Sequence, residues 1–219
     1  MIHRYLYDIL TNGIQAIVDD DTILDELFKR NYELVPEESE TIKTYFAREG
    51  LHVYPGYPKT NAEYPSVNII LASEQETENF LGDSGGMIDD EDSEYYGKEM
   101  FASVWDHTYR LLVLTEHADI TAYYYEIVKY IMLEGMRPLV DDGCWDFEFS
   151  GGDLSPDASY LPEWIFARQL IFKCQREFQR FSSNSTFGRF TRVEGIHLDD
   201  GRDPADVGNV KTKLTVSTE

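Results

Sequence analysis

Apolar positions in the first thirty residues recur with the period of a helix. Ile2, Tyr5, Leu6, Ile9 and Leu10 fall at i, i+3, i+4, i+7 and i+8, and Ala16 and Ile17 carry the stripe past Gly13. The cluster Asp19, Asp20, Asp21 and Thr22 then offers an N-cap, and its carboxylates suit the positive end of a second helix on which Ile23, Leu24, Leu27 and Phe28 resume the period. Pro36 opens a third helix, with Glu37, Glu38 and Glu40 near its start and Ile42, Tyr45 and Phe46 on one face; Gly50 stops it.

The period then falls from 3.6 to 2. Residues 51–54 predict a short strand, and residues 66–72 a stronger one in which Val67, Ile69 and Leu71 alternate with Asn68 and Ile70. Residues 98–115 are also β-patterned: Met100, Ala102 and Val104 alternate in one half and Tyr109, Leu111 and Val113 in the other, with Asp106 and His107 open to reading as a turn or a bulge. The clearest helix follows. Asp119 is its expected N-cap, Ile120, Tyr123, Tyr124, Ile127, Val128, Ile131 and Met132 form its apolar stripe, and Gly135 and Pro138 end it.

Residues 144–149 predict a strand with Trp145, Phe147 and Phe149 on one face and Asp146 and Glu148 on the other. A long strand runs from about residue 163 to 181. Trp164, Phe166, Leu170, Phe172, Cys174 and Phe178 share one parity, and Ile165, Ala167 and Ile171 hold the other, which predicts cover on both faces. Helices do not alternate with strands as βαβ units require, so the fold class is α+β: a mixed or antiparallel sheet packed by one long helix, with N-terminal helices and a C-terminal extended arm.

Charge sharpens this picture. Among 219 residues, 19 Lys and Arg face 41 Asp and Glu, a formal net charge of −22. Residues 182–219 hold five basic and six acidic residues, so residues 1–181 carry nearly all of the excess, 14 against 35. Such a body repels nucleic-acid phosphates and anionic membranes, which disfavours tight DNA or RNA binding. The arm is Ser/Gly/Asp-rich with one β-like run at residues 210–216, and cannot bury a core by itself. Two domains are expected, 1–181 and 182–219. No transmembrane span and no secretory leader are expected from the pattern.

Candidate chemistry is sparse. Gly82, Asp83, Ser84, Gly85 and Gly86 match the segment around the nucleophile of chymotrypsin-like proteases, but Ser84 comes early in the chain, while that fold takes its histidine and aspartate before a late serine. A solvated Gly-rich loop is the better reading of 82–97. Asp89, Asp90, Glu91 and Asp92 lack the alternating spacing of a calcium loop. The five histidines show no metal signature, no phosphate-binding glycine motif occurs, and no cofactor or metal is expected. Cys144 and Cys174 read as small buried hydrophobes rather than a disulfide framework. Tyr123, Tyr124, Tyr125 and Tyr130 wrap more than one face of the strong helix, which is either ordinary core packing or a second face buried by a neighbouring subunit.

The order of short patterns adds a family likeness. An N-terminal helix precedes Tyr64-Pro65-Ser66-Val67-Asn68-Ile69-Ile70-Leu71 and then Glu78-Asn79-Phe80-Leu81-Gly82-Asp83. Next come a strand ending Leu111-Leu112-Val113-Leu114-Thr115-Glu116, the helix from Tyr123, the pair Leu139 and Gly143, and Gly151-Gly152-Asp153-Leu154-Ser155-Pro156 before a last strand. Over residues 1–181 this resembles the neck and tail-terminator (tail-completion) proteins of tailed bacteriophages. The resemblance implies an α+β subunit with a helix on one face of its sheet, assembling into a six-fold ring that stops tail-tube growth and meets the head-side connector. It implies a structural protein, not an enzyme, placed in the virion neck after assembly in the host cytoplasm, with tail tube, sheath and connector proteins as partners.

Three features fit that expectation. An acidic lumen lets genomic DNA pass without specific binding. A ring built head to tail needs two different patches per subunit, for which Tyr125, Tyr130 and the arm residues Val210, Leu214 and Val216 are candidates. Asp89, Asp90, Glu91 and Asp92 are the candidates to face the lumen or tube. Two alternatives stand beside this: a head-completion stopper or adaptor of the connector, and, from another class, a hydrolytic enzyme around Ser84.

Overall fold

The computed structural model describes residues 2–30, 32–57, 63–79, 100–154 and 164–181. By its contacts the chain separates into Met1–Phe181 and Ser182–Glu219. The expected arm, with Val210, Leu214 and Val216, and the acidic loop with Ser84, Asp89, Asp90, Glu91 and Asp92 lie outside the described residues.

The first unit is α+β. Its helices are α1 (Ile2–Asp19), α2 (Thr22–Asp25) with a π turn over Glu26–Arg30, α3 (Pro36–Glu49), α4 (Ala118–Glu134) and the short α5 (Arg137–Asp141). Five strands, β1 (His52–Pro55), β2 (Ser66–Asn79), β3 (Met100–Thr115), β4 (Cys144–Asp153) and β5 (Phe166–Phe181), form one mixed sheet in the order β1-β2-β3-β5-β4. Only β1 and β2 run parallel; the other neighbours are antiparallel.

The helices pack on one face of this sheet. Leu6, Leu10 and Ile17 of α1 meet Tyr124, Ile127, Val128 and Met132 of α4 over Val67, Ile69, Leu111, Val113, Leu170 and Phe172, all in one buried cluster. Two glycines let α1 and α4 close. A Cβ on Gly13 would overlap the Ile131 side chain, and one on Gly135 would fall 2.5 Å from Cγ2 of Ile9 and 2.9 Å from the Ile131 carbonyl oxygen. Gly50 does stop α3: at φ +66 it takes a conformation that suits glycine, and its N–H donates to the Phe46 carbonyl at 2.8 Å. Lys43 joins α3 to α2 through Asp25 at 3.0 Å and Asp21 at 3.3 Å.

Several expectations need correction. The cap of α4 is His117, not Asp119, which sits in the first turn; Thr115 Oγ1 accepts from the His117 N–H, and Thr121 Oγ1 donates to the His117 carbonyl. Pro138 does not merely end a helix, because it also stands in the first turn of α5, where a missing donor is harmless. β3 passes straight through Asp106 and His107 with unbroken register to β5, so neither a turn nor a bulge interrupts it. In β4 the register shifts between Trp145 and Glu148, with Asp146 at φ +53. That irregularity reverses the parity. Cys144 is buried and Trp145 exposed, while Phe147 and Phe149 pack on Phe172.

On the second face of the sheet the described residues form a small cluster at one end. It consists of Ile70, Leu112, Leu114 and Ile165 with Tyr64, Leu154 and Ala167. Among the described residues β5 has cover on both faces around Ile165 and Ala167, while Phe166 and Phe178, on the helix-side face, are exposed.

Candidate interface groove at the open end of the sheet

Helix and strand lengths decide where the helix layer ends. Helices α1 and α4, 18 and 17 residues long, span about 26 Å at 1.5 Å per residue. Strands β3 and β5, 16 residues each, run about 50 Å at 3.3 Å per residue. On the helix-side face the covered rows end at the register pair His107 and Cys174, and the strands continue beyond it.

From that line outward the same face carries His107 and Trp105 of β3, Glu74 and Glu76 of β2, and Cys174, Arg176 and Phe178 of β5. The first turn of α1, Ile2 and His3, closes the inner end. Between them lies an open groove of about 870 Å³ walled by Leu71, Trp105 and Phe178 on its apolar side and by Glu74, Arg176 and Glu177 on its polar side. Leu71 is 45% exposed and Phe178 57%, although both sit on core-facing strand positions.

Hydrogen bonds and ion pairs fix the groove from beneath. Trp105 Nε1 donates to Ser103 Oγ at 2.9 Å, which sets the indole against the sheet. Tyr5 Oη donates to Asp142 Oδ1 at 3.0 Å, and Asp142 Oδ2 lies 3.0 Å from Arg176 Nη2. That chain ties α1 to the turn before β4 and to β5. Tyr109 packs against the His3 ring at a centroid distance of 6.1 Å, and burial pushes its hydroxyl up to about 12.

The titratable groups of the groove are set by burial and by their immediate neighbours. Burial lowers the His107 pKa, although Glu74 Oε1 lies 3.3 Å from its Nδ1 and works the other way. The ring is therefore neutral at pH 7. Cys174, opposite His107 across the strands, shares a hydrogen bond with Cys144; that bond and its burial push the Cys174 thiol up and keep it protonated. The Arg176 guanidinium is engaged by Asp142. The groove thus presents a concave apolar surface with a polar rim.

The two tyrosines nominated from sequence lie elsewhere. Tyr125 is half-buried over β4, where a Cβ on Gly151 would overlap its hydroxyl; its ring takes the Arg168 guanidinium 5.8 Å and Lys129 Nζ 5.5 Å from its centroid. Much of its surface is thus spent within the chain. Tyr130 lines a second cleft, about 620 Å³, beside the α1–α4 crossing with Tyr5, Ile9 and Gly13. Sequence reading missed Trp105, His107 and Phe178 as site residues. The mismatch between long strands and shorter helices is the signal that could have found them.

Among the described residues no group of His, Cys, Asp and Glu is arranged to hold a metal ion, and no helix is long and apolar enough to cross a membrane. No family model matches the sequence, and no curated protein matches it at a significant level.

Proposed function

We propose that the chain is a structural subunit of the neck of a tailed bacteriophage, closing with copies of itself into a ring that ends the tail tube and joins it to the head connector. The observation that carries this reading is the order of segments across residues 1–181, whose likeness to tail-terminator proteins implies an α+β subunit with helices on one face of a sheet. The architecture described above is of that kind. The charge supports it as well, since 35 acidic against 14 basic residues in the first 181 suit a lumen through which DNA slides without sticking.

In this reading the protein works by assembly and not by catalysis. The groove walled by Leu71, Trp105 and Phe178 is one of the two unlike patches a head-to-tail ring needs, and the arm supplies part of the other. Asp89, Asp90, Glu91 and Asp92 face the lumen or the tube. The test combines light scattering of the purified chain, negative-stain images of the same fractions and addition to isolated tails that lack the protein. Rings of about six subunits that seat on tails and restore joining to heads are the expected result. A monomer that neither binds tail tubes nor limits their length would overturn the reading. Binding to capsids in place of tails would move the chain to the head-completion alternative.

A further inference from the structure

We infer that the outer edge of β2 over residues 73–79 is a strand-docking site, and that its occupant is the segment 210–216 of a second copy of this chain. β1 pairs with β2 only from the partners His52 and Ser66 to Pro55 and Ile69. Among the described residues the outer edge of β2 has no strand partner beyond that point. Its inner edge is paired with β3 as far as Asn79 and Ser103, and between register shifts at Leu71/Ser73 and Glu76/Glu78 residues 73–76 are held in regular pairing. An edge of this kind offers a row of unpaired N–H and C=O groups to an incoming chain. Docking there would add a sixth strand and raise the outer wall of the groove, which Leu71 and Glu74 begin.

The charge of the edge selects the occupant. Glu74 and Glu76 are exposed and stand opposite His107 and Trp105, on the groove face of the sheet. Two such edges would repel each other if they met, because like charges directly across a strand pair are unfavourable. A basic strand would be attracted. Residues 210–216 supply one: Lys211 and Lys213 repeat the two-residue spacing of Glu74 and Glu76, no acidic residue interrupts them, and the β-branched Val210, Thr212, Thr215 and Val216 suit an extended chain.

Length allows the connection. The 28 residues from 182 to 209 reach up to about 95 Å when extended, against a radius of gyration of about 16 Å for a domain of 181 residues. The choice of a second copy as donor rests on the ring reading, in which the groove, here with the β2 edge as its outer wall, and the arm, here with its strand, belong to the two unlike patches of a head-to-tail contact. The edge assignment itself does not depend on it.

The experiment uses the full chain. Equal amounts of nitrogen-15-labelled and unlabelled protein are mixed and treated with a water-soluble carbodiimide, which joins lysine to carboxylate with no spacer, and the coupled peptides are read by mass spectrometry beside light scattering of the untreated mixture. Expected are couples of Lys211 or Lys213 to Glu74 or Glu76 that join a heavy to a light chain. Reversing the charges in E74K/E76K, or separately in K211E/K213E, should weaken association at least tenfold, and mixing the two variants should recover it. Couples confined to one isotope would overturn the second copy as donor. Rings that form with no such couple, or that ignore both reversals, would overturn the edge site while leaving the ring reading intact. Heavy–light couples from particles that never close into rings would do the opposite, supporting the docking site and removing the ring.

Discussion

One face of one sheet is treated in opposite ways at its two ends. Under α1 and α4, Phe172 of β5 is fully buried; three pairs of residues further along the same strand and on the same side, Phe178 is 57% exposed. The backbone geometry and the β3 partner continue unchanged, so the strand itself does not set the difference. What changes is the reach of the helix layer. The covered end holds the fold, and at the other end no described helix lies over the strands.

The largest effect should separate those two phenylalanines. Phe172→Ala removes a ring packed against Phe147 and Phe149 and leaves a cavity, which should cost about 3–5 kcal/mol in urea unfolding. Phe178→Ala should stay within about 0.5 kcal/mol of the parent, as exposed substitutions do. Equal losses at both positions would mean that the open end also carries the fold, and the comparison would collapse.

The next effect is set at the crossing of α1 and α4. Gly13→Ala should gain about 1 kcal/mol if helix propensity alone mattered. The new methyl would instead overlap Ile131, so a net loss of about 1–3 kcal/mol is expected from the overpacking. The sign of the change is the measurement. A stabilised Gly13→Ala would show that the helices can slide apart cheaply, and that the covered end is softer than its packing implies.

Much of the covered end is legible in the sequence, and the reason is physical. Amphipathic periodicity appears where one side of an element is buried and the other is not, so Ile127, Val128, Ile131 and Met132 declare α4; β2 is buried on both faces from Ser66 to Ile70 and is declared instead by its run of β-favouring Val67, Ile69 and Ile70. That signal fades after Leu71, because Ser73, Glu74, Gln75, Glu76 and Thr77 lie beyond the helices and are exposed whichever face they take. Read from its pattern, β2 ended at residue 72; in the fold it continues to Asn79. Trp145 was misread for a different reason: no two-residue rule anticipates an Asp146 at φ +53, which throws the following residues onto the other face. The groove fell between these failures. It is made by cross-strand neighbours, Leu71, Trp105 and Phe178, far apart in sequence and lacking any shared motif.

A smaller effect tests how well the core is satisfied. Tyr124 is fully buried against Tyr45 and Phe46, its hydroxyl has no hydrogen-bond partner among the described residues, and burial pushes its pKa up. An unpaired buried hydroxyl is a cost of about 1–3 kcal/mol relative to water. Tyr124→Phe keeps the ring contacts and drops the orphan group, so thermal unfolding should occur at the same temperature or a few degrees higher. A clear loss of stability would reveal a partner for that hydroxyl and a core more polar than its contacts show.

The smallest effect belongs to the border between the two ends, where His107 sits. Its pKa is lowered in the fold by burial and by Arg176, against the pull of Glu74 and Asp106, while the unfolded chain returns it to about 6.5. Above that value both states hold a neutral ring and pH has no purchase through this residue. As pH falls below about 6.5 the unfolded chain takes up a proton that the folded chain still refuses, so stability declines until the lower folded value is passed. His107→Asn should therefore flatten the curve of urea midpoint against pH between 7 and 5.5, leaving the decline at lower pH to carboxylates such as Asp25, whose pKa is lowered by hydrogen bonds from Lys29 and Lys43. Parallel curves for parent and variant would place His107 in water, and the border of the helix layer would then have to be drawn one row further in, at Tyr109.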